Sequence, residues 1–520
     1  MLLDFGLRRS VQLYGDRVAA IDGETRLTYA QLGARVDRLA DALRDLGLAR
    51  GDRVGVLMLN TFRYLELYYA VNVAGGVIVP LNSRLAVPEL AFILDDCACT
   101  TLFVTREFAG HAAQLRGRCP ALAAAILAED EPAPPGLLAY EDLIAAAGPA
   151  RAPVALADSD LAGIFYTGGT TGLPKGVMLT QRNLVDNAYR IIIELGYRGD
   201  DVYLHAAPMF HLADGASTFA LTYVGGAHAH LRAFQPRAVL ETIARDRVTA
   251  TLLVPTMITA LLNHPDLGRH DLSSLRTILY GASPIAADTL RAAIAALPCA
   301  LVQGYGTTEA APLLAVLPGA DHRLDGAGHP PRRLASAGRA AIGVALRVVD
   351  DDDRDVPPNT IGEVLARGAN IMGGYWNRPQ ETAAAQRGGW YHTGDLATLD
   401  EDGYLYIVDR KKDMIVTGGE NVYSIEVEDA LAGHPAVLEC AVIGVPDARW
   451  GEAVHAVVAL KPGQEATAEE LIAHCHERIA GYKAPKSIAF TEALPKSGAG
   501  KILKRELRER HWAGEARRVR

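Results

Sequence analysis

Between Ile164 and Thr180 the chain reads IFYTGGTTGLPKGVMLT, an apolar run that empties into glycines and hydroxyls. Thr167, Gly168, Gly169, Thr170, Thr171 and Gly172, followed by Lys175, have the chemistry of a phosphate cradle. Glycines let backbone N–H groups point at phosphate oxygens, and the threonine hydroxyls and a lysine add donors and charge. This is not a Walker A loop, which needs Gly-Lys-Ser/Thr opening a helix. Here Lys175 follows Pro174 and precedes Gly176. A plain surface turn does not require so long and specific a run.

Such a loop must be held by a strand, and the surrounding pattern supplies one. VGVLML from Val54, VIVPL from Val77 and TLFVT from Thr101 read as buried strands, with a helical stretch from Tyr64 to Val73 between the first two. The rhythm of short β-branched runs and longer helical segments predicts mostly parallel sheets covered by helices. A second block, from about Leu161 to Leu314, repeats it with LAGIFYT, TATLLVP, RTILYG and LVQGYG. From Gly338 to Tyr406 short strands and turns predict a smaller, largely antiparallel unit. The Asp350–Asp353 run reads as a solvated hairpin tip and not as a cation site. After Asp409 come RKKD, a glycine pair and a fresh α/β pattern, so the main boundary falls there. The expected units are residues 1–160 and 161–335 as α/β subdomains, 336–409 as a β subdomain, and 410–520 as a mobile C-terminal domain.

The chain has 520 residues, too many for one ordinary core. Its 49% hydrophobic and 22% charged residues are those of a soluble globular protein. A net charge of −9 argues against general nucleic-acid binding. The opening MLLDFGLRRS lacks the apolar core of a secretory signal, and no run is long enough to span a membrane. Six cysteines fit a reducing cytosol better than a disulfide framework. Cys97/Cys99 and His474-Cys475-His476 have no second ligand pair at zinc-site spacing. The segment from Lys504 to Arg520 reads as a solvated helical tail.

The glycine–threonine loop resembles the signature of the adenylate-forming superfamily of acyl-CoA synthetases, adenylation domains and luciferases. Other family motifs follow in order over nearly the whole chain: PMFHLA from Pro208, GAS from Gly281, QGYGTTE ending at Glu309, YHTGDLA from Tyr391, DRKKDMIVTGGENVYSIEVE from Asp409, and PKSGAGK ending at Lys501. The resemblance implies a large N-terminal domain of two βαβ-type subdomains and a small β-barrel-like one, with a mobile α+β C-terminal domain.

It also implies ATP, Mg²⁺ and coenzyme A, and the residue types fit those roles. Glu309 is a hard oxygen ligand for Mg²⁺ held on ATP phosphates. Thr308 can bond the α-phosphate, with Thr307 beside it, and Tyr305 offers a flat face for adenine. Gly281, Ala282, Ser283, Gly304 and Gly306 join the nucleotide-binding set. Asp395 can accept both ribose hydroxyls, and Arg410 matches the family arginine that also reaches the ribose. Lys501 matches the lysine that stabilises charge as a carboxylate attacks the α-phosphorus. The family pattern has Thr and Ser where this chain has Ser497 and Ala499.

For the thiol step, Lys412 matches the hinge residue, and Gly418, Gly419 and Glu420 match the loop that lines the thiol path. His211 matches a ring that blocks or opens that path, and Trp450 and Lys483 are expected coenzyme A contacts. His211, Thr256, Met257, Gly281, Gly304 and Gly306 are the expected acyl pocket. Amino-acid-activating relatives carry an acid near His211 to pair the ammonium. Here none precedes His211, and Asp214 comes three residues later. A fatty or aromatic acid is therefore favoured. No carrier segment follows Lys501, which favours a free thiol. Two other readings stand: an adenylation enzyme loading a separate carrier protein, and a non-catalytic nucleotide-binding regulator, against which the intact Lys501 and Glu309 speak. Homodimers are common in the family.

Overall fold

The computed structural model describes residues 1–148, 151–152, 154–167, 174–283, 285–322, 324, 331–447, 449–496 and 501–512. The expected phosphate contacts Gly168, Gly169, Thr170, Thr171 and Gly172 lie outside the described residues, as do Ser497–Gly500 beside Lys501.

Two parallel-rich sheets dominate. One is eight-stranded, in the order Gly374–Tyr375, Lys175–Thr180, Leu161–Thr167, Val77–Pro80, Arg53–Leu57, Cys99–Val104, Ala124–Leu127, Leu138–Ala139. The other is nine-stranded and runs from Arg339–Ala340 through Leu313–Leu317, Ala300–Gly306, Thr277–Gly281, Ala250–Leu253, Val202–His205, Ala227–His230 and Val18–Asp22 to Thr25–Thr28. Strands such as Val77–Pro80 and Ala250–Leu253 are buried at every residue. Continuous burial is why they read as unbroken apolar runs rather than as alternations. Helix Phe62–Val73 is also buried along its whole length, enclosed on all sides rather than amphipathic.

The sheets do not divide the chain at residue 160. Leu161–Thr167, expected to open the second block, belongs to the first sheet with Lys175–Thr180 beside it, and Gly163 pairs there with Ile78. Val18–Asp22 pairs with Ala227–His230 of the second. Pairing partners are chosen by tertiary packing, so sheet membership need not follow chain order. One core cluster spans Leu3 to Tyr391 and gathers side chains from both sheets.

A four-stranded antiparallel sheet follows, ordered Ala345–Val349, Gly362–Arg367, Tyr391–Leu399, Leu405–Arg410. The Asp350–Asp353 run does lie between its first two strands, but it is not merely solvated. Asp351 pairs with Lys411 at 2.8 Å and Asp353 with Arg387 at 2.9 Å.

The C-terminal part has its own sheet, with Glu420–Val422, Ile415–Thr417, Gly451–Leu460 and Val437–Asp447 in that order and Ser487–Phe490 joined to Gly451–Leu460. Helices Ser424–Ala432 and Ala468–His476 cover it, closing a separate core around Ile415, Val427, Val442 and Leu471. The expected solvated tail is in part a packed element. In helix Lys504–Glu509 Leu507 is buried, Lys504 pairs with Glu428 at 2.7 Å, and Arg508 pairs with Asp413 at 2.6 Å. Among the described residues no helix is long and apolar enough to cross a membrane.

Candidate active site

The C-terminal ends of adjacent parallel strands are where open α/β sheets bind ligands, and two of the sequence motifs end there. Gly281, ending one strand, pairs with Gly304 of the next. A Cβ on Gly281 would lie 2.1 Å from the Gly304 carbonyl oxygen, and one on Gly306 would lie 1.8 Å from that of Pro312. These two glycines therefore answer first to backbone packing. Ala282 follows at φ +65, in the left-handed region, with Ser283 after it.

Beyond Gly306 the chain makes the short turn Thr308–Ala310, and long-range bonds hold it on several sides. Asn370 donates to the carbonyls of Ala310 and Leu313, and the Met372 amide donates to the Glu309 carbonyl at 2.8 Å. The Tyr375 hydroxyl donates to Glu309 Oε1 at 2.9 Å. Thr307 bonds the buried Tyr391 hydroxyl at 3.2 Å. Lys175, at the start of strand Lys175–Thr180, holds its ammonium 5.3 Å from the centre of the Tyr375 ring. Tyr375 and Asn370 carry no motif of their own. Only the pairing of Gly374–Tyr375 with Lys175–Thr180 brings Tyr375 here.

Across the turn, the Tyr305 hydroxyl donates to Asp395 Oδ2 at 2.7 Å, and Arg410 approaches Asp395 Oδ1 at 3.5 Å. Burial, then Asp395, pushes the Tyr305 phenol well above its ordinary range, so it stays a donor.

Lys501 joins this group from the C-terminal region. Burial lowers its pKa to about 8; nearby Arg410 and Lys412 act in the same sense, and Asp395 and Glu309 oppose them. Lys501 thus lies within electrostatic reach of Asp395, Glu309, Arg410 and Lys412. His211 lies within its reach too. Burial, then Lys501 and Arg84, lowers its pKa to about 3, so the ring is neutral at physiological pH, and its Nε2 is buried with no hydrogen-bond partner.

The segment that carries His211 is stapled from outside. Asn60 Nδ2 donates to the carbonyls of His205 and Ala207, its Oδ1 accepts from the Met209 amide, and the Tyr68 hydroxyl donates to the Met209 carbonyl at 2.6 Å. Helix Leu212–Val224 then starts with His211 at its N-cap. Asp214, in the first turn, is fully buried and accepts from Tyr203 at 3.0 Å, with His205 Nδ1 at 2.6 Å from its other oxygen. Asp214 is thus engaged with the sheet and does not serve as an ammonium partner in the pocket. Beside His211, Pro208, Phe210, Phe234, Thr256, Met257 and Met58 wall a cavity of about 320 Å³, with Arg84, Arg232 and Lys496 among its basic lining residues.

The other residues expected to serve the thiol step belong to the C-terminal region. Gly418 and Gly419, at φ +60 and +86, form the two-residue turn of a hairpin that continues into Glu420. Positive φ at both central residues is what a tight hairpin of this type demands. Trp450 packs on Gly418, where a Cβ would lie 2.7 Å from its ring. Lys483 is paired with Glu426 at 2.7 Å. Lys412, the expected hinge, has its carbonyl 3.5 Å from Arg508, and burial lowers its pKa. Its neighbour Lys411 donates its amide to Gly394 and its ammonium to Asp351 and Glu363.

Among the described residues there is no group of three or more His, Cys, Asp or Glu suited to hold a metal ion by themselves. Glu309 offers one carboxylate, bonded to Tyr375, whose ring faces Lys175. That donor set fits Mg²⁺, which takes one or two protein carboxylates and completes its shell with phosphate and water.

Comparison with known proteins agrees on the family. A family model described as AMP-binding enzyme matches residues 7–376, and one described as AMP-binding enzyme C-terminal domain matches residues 426–501. The chain is similar to a feruloyl-CoA synthase from Amycolatopsis sp, 44% identical over 96% of this chain and 97% of that one. It is 36% identical to the fatty acid–[acyl-carrier-protein] ligase ScoC of Streptomyces coeruleorubidus, over 96% and 94% of the two chains. The crystal structure of the anthranilate CoA ligase AuaEII in complex with anthranoyl-AMP superposes with a TM-score of 0.90 and 29% identity, covering 98% of this chain and 97% of that one.

Proposed function

We infer the reaction from one premise: this chain belongs to the AMP-binding enzyme family, and it is an AMP-forming acid–thiol ligase of the adenylate-forming superfamily. In our reading it activates a fatty or aromatic carboxylic acid as an acyl-adenylate and passes the acyl group to coenzyme A. The observation that carries the reading is Lys501, a buried cation from the C-terminal region within electrostatic reach of Glu309, Asp395 and His211 of the large region.

The first step joins a carboxylate oxygen to the α-phosphorus of ATP and breaks the bond to pyrophosphate. Lys501 then stands against the charge that builds on the phosphoryl oxygens, and such stabilisation acts where charge develops. Asp395 and Arg410 hold the ribose, Tyr305 lies against adenine and Thr308 bonds the α-phosphate. The cradle from Thr167 to Lys175 takes the outer phosphates. Glu309 would hold Mg²⁺, which supplies further neutralisation of phosphate charge when bound. Neutral His211 lines the way by which a thiol sulfur reaches the acyl carbon, and AMP leaves as the thioester forms. Lys412 is the hinge that exchanges Lys501 for the Gly418–Glu420 hairpin between the two steps.

The cavity beside His211 supports coenzyme A as acceptor. Its apolar wall includes Thr256 and Met257 of the expected acyl pocket and suits the acyl chain, and Arg84, Arg232 and Lys496 in the same lining are suited to the phosphates of coenzyme A. Asp214, buried against His205 and Tyr203, supports an acid without an α-ammonium. Similarity to a carrier-protein ligase favours one second reading, transfer to a carrier-bound phosphopantetheine. A panel of fatty and aromatic acids, read first by pyrophosphate exchange and then by AMP release with coenzyme A or a loaded carrier, tests both. Exchange with no acid in the panel would reject the reading, and AMP release that requires the carrier would select the second.

A further inference from the structure

The turn that carries Glu309 and the strand that carries Lys175 meet at one side chain, Tyr375. Its hydroxyl donates to Glu309 Oε1 at 2.9 Å, and its ring lies 5.3 Å from the Lys175 ammonium. Its backbone is fixed on both sides. Tyr375 pairs with Val177 in the eight-stranded sheet, and its amide donates to Thr382 Oγ1 at 2.9 Å. Thr382 in turn packs where a Cβ on Gly374 would stand, 2.6 Å from its Cγ2. The Glu309 carbonyl is held independently by the Met372 amide, three residues before Tyr375. One short segment, Met372–Tyr375, thus fixes Glu309 at its backbone and at one carboxylate oxygen.

We propose that Tyr375 is the positioning residue for Glu309, occupying Oε1 so that Oε2 remains for the cation that ATP brings. This deepens the reading above and rests on it. A carboxylate free to rotate must be ordered when the metal arrives, whereas one bonded to a phenol on a sheet edge is ordered beforehand. A phenol suits the post better than a lysine. It donates without bringing a positive charge that would compete with the metal for the same carboxylate. The ring meanwhile gives Lys175 an aromatic face, which orients a cation without neutralising it.

The test is nucleotide binding by calorimetry, with ATP in excess EDTA and with ATP over a Mg²⁺ titration, on the full chain and on Tyr375→Phe. Phenylalanine keeps the ring and the Lys175 contact and removes only the hydroxyl. The affinity for ATP in EDTA should stay within about twofold. The gain that Mg²⁺ adds should fall about tenfold, the size expected for one hydrogen bond to a charged group. Glu309→Gln sets the floor, and adding Tyr375→Phe to it should change nothing more. A Mg²⁺-dependent gain equal to that of the parent, or an undiminished loss in the Glu309→Gln background, overturns the proposal. Should Tyr375→Phe fail to fold, a crystal structure of the parent with Mg-ATP decides. The hydroxyl must still be bonded to Glu309 there, and a hydroxyl bonded elsewhere refutes the role. Failure of the adenylation reading looks different, because the parent itself would then bind no ATP and exchange no pyrophosphate with any acid.

Discussion

Glu309 and Asp395 reach the proposed nucleotide site already tied to their surroundings, through Tyr375 and Tyr305. Lys501 arrives on a segment of the C-terminal region. The segment around it is closed by a bridge between Lys496 and Ile502, and it is anchored to the C-terminal core by Lys496–Glu439 and Lys504–Glu428. On the proposed reading the large region offers a fixed face, and the small one contributes a cation that the hinge at Lys412 withdraws as a unit. A fixed face binds substrate and transition state alike. A cation aimed at developing charge is worth most in the transition state, where only differential binding raises the rate. On that reading the division also frees the site for a second chemical step once the cation has left.

Mutations on the two sides should therefore fail in different ways. Lys501→Ala should lower pyrophosphate exchange by about 10²–10³-fold, the usual cost of one transition-state donor, with ATP affinity changed by less than about threefold. Asp395→Ala should do the reverse. Equilibrium binding should show ATP affinity weakened by roughly ten- to a hundredfold, as expected for bonds to a charged group, with a smaller effect on the rate at saturation. If the two variants share one phenotype, the distinction between face and cation is wrong. Lys412→Pro should slow thioester formation about tenfold more than exchange, because proline restricts the φ that a hinge must change. Equal slowing of both steps would remove the hinge.

The pH profile sharpens the same contrast. With its pKa held near 8, Lys501 in the free enzyme is charged below that pH and neutral above it. The kcat/KM for adenylation should fall as pH rises through about 8, approaching tenfold per unit. Bound ATP brings negative charge, so the corresponding fall in kcat should lie higher. A profile flat from pH 7 to 10 would contradict the assignment. The smallest effect is expected at Lys411. Its pair with the exposed Asp351 is screened by water and its contact with Glu363 is long, at 3.5 Å, so Lys411→Ala should change the ratio of the two half-reaction rates by less than about threefold.

Much of this was legible in the sequence because the chemistry there is local. Glu309, Asp395 and Lys501 sit in short motifs whose neighbours are strand ends and turns, and strand ends could be read from apolar runs. What escaped depends on partners far along the chain. Tyr375 matters through Glu309, 66 residues earlier, and Asn60 through Met209, 149 residues later. Asp214 was visible as an acid near His211, yet its engagement with His205 required the register of a strand against a helix. Lys504 and Arg508 read as solvated because Glu428 and Asp413 become their neighbours only when the C-terminal sheet folds. The exchange of strands between the two sheets was hidden for the same reason, since a buried strand's sequence says that it is covered and not by whom.

The central claim is that the cation from the small region serves adenylation alone. Lys501→Ala should be given chemically made acyl-adenylate and coenzyme A, and its thioester formation compared with its pyrophosphate exchange. The account predicts thioester formation within about fivefold of the parent while exchange is down by about 10²-fold or more. Equal loss of both, or exchange at the parental rate, would contradict it.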